Sequence, residues 1–263
     1  MNRIDAAFAR LRAERRSGFI AYLTAGDPSP ALTIPFVRAL EANGADIVEL
    51  GVPFSDPLAD GVVNQRSAER ALRRGVTLKT VLGLVARLRK ESEIPVVLFT
   101  YLNPVYAYGF ERFASDASRA GVDGVLSLDL PPEEASEYEA VLAARGIRTI
   151  FLVAPTTPPA RLRLIAAHAR GFIYCVSRTG VTGGRGGLVP GLAARLRAIR
   201  RVTRTPVAVG FGVSTPGQVA EAARMADAVV VGSALVKEIE RGGPGIAARI
   251  GSKARRLTAP LRR

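Results

Sequence analysis

Val207-Ala208-Val209-Gly210-Phe211-Gly212-Val213-Ser214 runs from a short apolar, β-branched segment into a turn marked by two glycines. Residues 216–225 then have helical spacing, with Pro216 at the start and Ser214 in position to cap them. Ala228-Val229-Val230-Val231-Gly232-Ser233-Ala234 repeats the apolar strand and the glycine turn. Strand, turn, helix and strand make a βαβ unit, whose two strands lie parallel.

Working outward, the same alternation fills the chain. Strands are predicted at residues 19–23, 46–50, 96–99, 122–128, 147–153, 172–176, 207–209 and 228–231, each bounded by Gly, Pro, Asp or Asn. Several are unbroken apolar runs, as expected of strands covered on both faces. Helical spacing marks residues 133–144, 159–169, 192–199 and 216–225. Pro35 is a misfit inside a helical stretch at 34–42, tolerable if Thr33 caps that helix. The connection between Leu50 and Val96 is long enough for a loop and two helices. Eight β-then-α units in about 250 residues match a (β/α)8 TIM barrel, with an extra N-terminal helix, an extra helix after strand 2, and one domain over residues 1–263. The competing architecture, an open doubly wound sheet, lacks the G-x-G-x-x-G expected after its first strand. The basic residues 251–263 read as a frayed tail.

Composition sets outer limits. The chain has 263 residues, 48% hydrophobic and 6% aromatic with no Trp, so its core is Ala, Val, Leu and Ile. The net charge is +14, and of 37 basic residues only four are lysines. The arginines are dispersed, as at Arg73 and Arg74, Arg87 and Arg89, Arg161 and Arg163, and Arg200 and Arg201, without interleaved aromatics. That pattern favours solvated helix faces over a nucleic-acid footprint, and its field favours an anionic substrate in either case. A single cysteine, Cys175, excludes an internal disulfide and fits a cytoplasmic location. Residues 1–16 have no apolar leader core, Asp5 and Glu14 count against a transit peptide, and no apolar run approaches a membrane span.

In such a barrel the chemistry sits at the C-terminal ends of the strands. There the sequence reads Ile47-Val48-Glu49-Leu50-Gly51-Val52-Pro53-Phe54-Ser55-Asp56-Pro57-Leu58-Ala59-Asp60-Gly61. Glu49 lies within an apolar strand and points opposite to Val48 and Leu50. A carboxylate facing a barrel interior is costly without a task or a partner, and burial raises its pKa toward the range useful for proton transfer. A loop folding back would bring Asp60 near it. Two carboxylates in different environments suit separate acid and base roles; on chemistry alone, a Glu49–Arg pair with Asp56 and Asp60 capping turns fits equally well. The glycine turns at Gly212 and Gly232-Ser233 follow strands 7 and 8, where this fold commonly binds phosphate; the bland alternative is two tight turns. The glycine-dense stretch 177–187 reads either as a mobile lid or as a loop without a role. Tyr174 walls a pocket if its face is interior, and is core packing otherwise. Cys175 then points to the helix layer, and the lone His168 falls on a helix. No His, Cys and carboxylate set has metal-ligand spacing.

At these residues the chain resembles the tryptophan synthase alpha chain family. The densest match is Glu49-Leu50-Gly51 with Phe54-Ser55-Asp56-Pro57-Leu58-Ala59-Asp60-Gly61. Supporting matches are Thr24-Ala25-Gly26-Asp27-Pro28, Tyr101-Leu102-Asn103-Pro104, Asp129-Leu130-Pro131, Ser177-Arg178-Thr179-Gly180-Val181-Thr182-Gly183 and Gly210-Phe211-Gly212. The resemblance implies a retro-aldol cleavage of indole-3-glycerol phosphate into indole and glyceraldehyde 3-phosphate, without metal or organic cofactor. It implies Glu49 as the acid–base residue and Asp60 as the carboxylate on the indole N–H. It assigns Gly183, Gly212, Gly232 and Ser233 to the phosphate, and Tyr22, Tyr101, Tyr174 and Phe211 to the pocket. Thr182 becomes a lid residue closing onto Asp60. A beta chain partner in an αββα assembly, receiving indole through a tunnel, would meet Pro53, Asp56 and Asn103. The chain departs from the family at Tyr22, where Phe is frequent, in the glycines of 184–187, and in its strong positive charge.

Overall fold

The computed structural model describes residues 1–177, 191–210 and 212–261. Its strands are β1 (Gly18–Thr24), β2 (Ile47–Gly51), β3 (Val96–Thr100), β4 (Gly124–Ser127), β5 (Arg148–Val153), β6 (Ile173–Val176), β7 (Val207–Gly210) and β8 (Ala228–Val231). They pair in sequence order, all parallel, and β1 also pairs with β8, so the sheet closes into the barrel expected from the sequence. Most of these strands carry no exposed residue because helices cover one face and the barrel interior the other.

Period-two alternation sorts the strand residues into two cores. Phe19, Ala21, Val48, Leu50, Val96, Leu98, Cys175, Val207 and Val209 face the helices. Ile20, Tyr22, Ile47, Val97, Phe99, Leu126, Ile150, Tyr174, Ala208, Ala228 and Val230 face inward. Cys175 thus lies in the helix layer, its thiol pushed up to about 12 by burial. The extra N-terminal helix, α1 (Arg3–Ala13), closes the floor: its Ile4, Ala7, Phe8 and Leu11 join the interior cluster. Glycine lets α1 pack closely, since a Cβ on Gly18 would come within 2.6 Å of the Leu11 side-chain end, and one on Gly124 within 2.7 Å of that of Ile4, so those ends would have to shift.

The intervening helices are α2 (Pro30–Ala42), α3 (Val62–Leu72), α4 (Leu78–Leu88), α5 (Leu102–Tyr108), α6 (Phe110–Ala120), α7 (Ser136–Ala143), α8 (Pro159–His168), α9 (Leu192–Val202), α10 (Pro216–Ala223), α11 (Ser233–Glu240) and α12 (Ile246–Thr258). The long connection after β2 holds α3 and α4, as expected. Three expectations need correction. The N-cap of α10 is Thr215 and not Ser214: the Thr215 hydroxyl accepts the Gln218 N–H at 3.3 Å. Thr33 does not cap α2: the helix starts at Pro30 after Ser29, and Thr33 is buried, its hydroxyl accepting from the Gly26 N–H at 2.9 Å. Pro35 is thereby inside the helix. The tail is not frayed through Leu261. It forms most of α12 and a 3-10 turn, packed against α2, because Ile250, Ala254, Leu257 and Leu261 make one buried stripe while the basic residues face outward. Gly251 permits the approach, since a Cβ there would stand 2.7 Å from the Asn43 amide nitrogen. Among the described residues, no helix is long and apolar enough to cross a membrane.

Part of the arginine excess has a structural task. Asp46 and Asp123 are buried, and each accepts the backbone N–H of a neighbouring strand, from Phe19 and Val96 respectively. Arg10 and Arg16 pair with the first, Arg3 and Arg89 with the second. At the opposite rim the fully buried Asp27 takes Arg70 in a fork at 2.7 Å on both oxygens and the Ser67 hydroxyl at 2.5 Å. Arg70 and Arg66 of α3 also reach Glu240 of α11, tying together the two helices that follow β2 and β8.

Candidate active site

β2 places Glu49 opposite Tyr22 on β1 and Val97 on β3, with its side chain inside the barrel. It is 0% exposed, and among the described residues neither carboxylate oxygen has a hydrogen-bond partner. The pairing with a buried arginine, allowed by the sequence, is absent among those residues. Burial alone pushes the carboxyl up to about 8, so at neutral pH it holds its proton. A buried acid left unpaired and protonated is poised to give that proton to something that enters the cavity.

Asp60 ends the loop after β2 and is nearly buried. Its Oδ2 accepts from the Tyr101 hydroxyl at 3.0 Å, and the same hydroxyl accepts the Ala59 N–H at 2.9 Å. Gln65 fixes the loop from α3 by donating to the carbonyls of Asp60 and Pro57 at 2.9 and 3.3 Å. Burial raises the Asp60 carboxyl, opposed by hydrogen bonds from Tyr101 and then Asn64. Its environment is therefore polar where that of Glu49 is not. Both carboxylates act on the same tyrosines: Tyr22 is driven well above its usual value by burial, then by the charges of Asp60 and Glu49, and Tyr174 by burial, then by Glu49 with a smaller contribution from Asp60.

Glu49, Tyr22, Asn64, Phe99 and Tyr174 line a concavity of about 400 Å3, counting space open to solvent, together with Gly212, Val213, Gly232 and Ser233. The turns after β7 and β8 thus stand on the same cavity as the buried acid. Gly212 has φ +81°, a conformation that L side chains rarely adopt. Gly232 caps α11; its carbonyl takes the Leu235 and Val236 N–H groups, while those of Ser233 and Ala234 have no carbonyl within the helix to reach. Tyr22 packs edge-on to Phe99, ring centres 5.1 Å apart, and its hydroxyl is 3.3 Å from the Thr24 hydroxyl. That accounts for the hydroxyl where the family often has phenylalanine. Glycine at 51 and 210 makes room for the two tyrosines, because a Cβ would collide with the hydroxyls of Tyr22 and Tyr174 respectively.

Of the residues singled out in the sequence, Glu49, Tyr22, Tyr174, Gly212, Gly232 and Ser233 line this cavity, and Asp60 and Tyr101 form a hydrogen-bonded pair beside it. Thr182, Gly183 and Phe211 lie outside the described residues. Asp56 and Asn103 are placed on neighbouring loop and helix-start positions after β2 and β3, both exposed, while Pro53 is buried. His168 is on α8, bonded to Glu139 at 3.0 Å and away from the cavity. Asn64 is a cavity residue that sequence reasoning missed. Its only signal is a polar side chain after Val62-Val63 at the start of the helix that follows the Glu49 strand. The exposed Leu58 and Tyr106, 87% and 70% accessible, were also missed; each sits within three residues of Asp56 or Asn103.

A closed eight-stranded barrel brings together a buried acid without a partner among the described residues, a second carboxylate on the next loop and two glycine turns after β7 and β8, an arrangement that can do acid–base chemistry on a small anionic molecule. Comparison with known proteins gives the family. Residues 8–259 match the model for "Tryptophan synthase alpha chain". The chain is 50% identical to the tryptophan synthase alpha chain of Geobacter sulfurreducens over 262 residues, covering 100% of this chain and 98% of that one. It is 52% identical to that of Laribacter hongkongensis over 244 residues, 92% of each. The crystal structure of the Legionella pneumophila subunit alpha superposes with a TM-score of 0.92 at 39% identity, over 99% of this chain and 98% of that one. A chain of the Pyrococcus furiosus tryptophan synthase a2b2 complex gives 0.88 at 42% identity, over 93% and 98%. The chain belongs to the tryptophan synthase alpha chain family.

Proposed function

We propose that Glu49 and Asp60 perform in this chain the reaction of its family, the retro-aldol cleavage of indole-3-glycerol phosphate into indole and glyceraldehyde 3-phosphate in tryptophan biosynthesis. The observation that carries the assignment is Glu49, fully buried, without a partner for either oxygen among the described residues, on the same cavity as the glycine turns.

The protonated Glu49 gives its proton to indole C3, creating positive charge on the ring. Asp60, in the charged form that its hydrogen bond from Tyr101 favours, accepts the ring N–H and stabilises that charge. Glu49, now a carboxylate, takes the proton of the hydroxyl on the carbon attached to C3. The C3–carbon bond breaks, its electron pair returns to the ring, and indole and the aldehyde form with Glu49 reprotonated. Without the transient positive charge, indole would have to leave as a carbanion. The phosphate sits against the α11 N-terminus at Gly232 and Ser233 and against the Gly212 backbone. Tyr22, Tyr101 and Tyr174 wall the ring and side chain. Thr182, Gly183 and Phe211 are assigned to lid, phosphate and ring by resemblance alone.

The partner is a beta chain, in an αββα assembly. Its contact is proposed at Asp56 and Asn103, with Pro53 shaping the loop beneath; the exposed Leu58 and Tyr106 add apolar area there. A cytoplasmic location fits the lone buried thiol of Cys175.

The test is to mix the pure protein with indole-3-glycerol phosphate, with and without a beta chain, and follow indole and aldehyde. Cleavage that rises when the beta chain is added is expected. No cleavage in either mixture would overturn the assignment.

A further inference from the structure

Three buried oxygens on this cavity have no hydrogen-bond partner among the described residues: both of Glu49 and Oδ1 of Asn64. The mechanism uses the first two and leaves the third unexplained. A buried amide oxygen without a partner costs stability comparable to a lost hydrogen bond. The orientation of the amide follows from chemistry. The Asn64 hydrogen bond favours the charged form of Asp60, which only a donor does, so the NH2 is the end that serves Asp60 and Oδ1 is the end left without a partner among the described residues. α3 holds the residue in place: the Asn64 N–H donates to the Gly61 carbonyl at 2.9 Å, and the next residue, Gln65, is bonded to the Asp60 and Pro57 carbonyls.

We propose that Asn64 is a substrate-binding and specificity-determining residue whose Oδ1 accepts a hydrogen bond from a hydroxyl of the substrate's polyol chain. The proposal rests on the functional reading above. Indole-3-glycerol phosphate carries three donors: the ring N–H, the hydroxyl next to the ring and the middle hydroxyl. Asp60 takes the first and Glu49 the second. The middle hydroxyl, which survives unchanged in glyceraldehyde 3-phosphate, is the donor left for Oδ1 of Asn64, the buried acceptor of this cavity that, among the described residues, the mechanism does not use. It takes no part in bond cleavage, so the Oδ1 contact acts on KM and on the choice among phosphorylated polyol side chains, while the NH2 end, through Asp60, bears on kcat as Glu49 does.

The experiment is a cycle between protein and substrate. Wild type and Asn64→Leu, which is near in shape but has no acceptor, are each assayed for kcat and KM with indole-3-glycerol phosphate and with its analogue lacking the middle hydroxyl. Wild type is expected to lose about ten- to a hundredfold in kcat/KM on the analogue, because the buried acceptor is then left unpaired. Asn64→Leu, which also loses the amide donor to Asp60, is expected to lose at least a similar factor on the true substrate, in both KM and kcat, and to treat both substrates alike within about twofold. A variant that still discriminates as wild type does would overturn the proposal. Should Asn64→Leu fail to fold, Asn64→Ala serves in its place, and wild type alone is decisive in one direction: equal kcat/KM on both compounds refutes it. Failure of wild type to cleave the true substrate at all would instead sink the functional reading, and this inference with it.

Discussion

Glu49→Gln separates chemistry from stability. The carboxyl is fully buried and unpaired among the described residues, and its pKa moves from 4.5 in a solvated chain to about 8 in the fold. A proton bound more tightly by the folded state stabilises that state only while the unfolded carboxyl is also protonated. The contribution is intact below pH 4.5, falls as pH rises above it, and is fully lost above about pH 8. The loss amounts to about 3 kcal/mol at pH 7 and about 5 kcal/mol above pH 8. The glutamine of the variant has the same shape and no charge, so its own burial cost is independent of pH. Urea unfolding of wild type and variant at pH 5, 7 and 9 measures the difference. The variant is expected to gain on wild type by about 3–5 kcal/mol between pH 5 and pH 9, while indole release falls by at least about a hundredfold at every pH. A stability difference constant within about 0.5 kcal/mol across that range would refute a carboxyl buried with its proton. Indole release within a fewfold of wild type would refute the acid–base role.

Other outcomes follow from single contacts. Tyr101→Phe removes the hydroxyl that holds Asp60 down; the acid limb of the kcat/KM profile is expected to move to higher pH, with about a tenfold loss near neutrality, and an unmoved limb would exclude Asp60 as the group titrating there. Gly210→Ala puts a Cβ onto the Tyr174 hydroxyl; a cost of about 1–3 kcal/mol is expected in urea unfolding, and a neutral effect would place Tyr174 elsewhere. Leu257→Ala empties a fully buried site in α12; about 2–5 kcal/mol should be lost in the same assay, whereas a frayed tail would lose almost nothing.

Much of the fold and the principal acid were legible because both depend on local pattern. A buried parallel strand must be apolar on both faces, so the eight runs stand out, and period two alone puts Glu49 on the side opposite Val48 and Leu50. The glycine turns are legible for a similar reason: backbone N–H groups are free at such turns whatever surrounds them. The tail misleads because its stripe of Ile250, Ala254, Leu257 and Leu261 is interrupted by arginines and lysine, and only the helices beside it, α2, α10 and α11, give that stripe something to cover. Thr33 misleads because Gly26, which it serves, is brought near only by the chain's turn after β1.

What the order of residues determined by itself was therefore the eight strands, their parallel sense and the interior placement of one carboxylate. What only the folded chain decided was partnership. Closure of β1 on β8 sets the Glu49 cavity against the turns at Gly212 and Gly232, from the other end of the chain. The loop after β2 gives Asp60 a tyrosine and an amide, while no described residue bonds to Glu49. Hydrogen bonding and desolvation depend on distances of a few ångströms between groups far apart in sequence, so the two carboxylates, alike as letters, become an acid that keeps its proton and a carboxylate whose hydrogen bonds favour its charge.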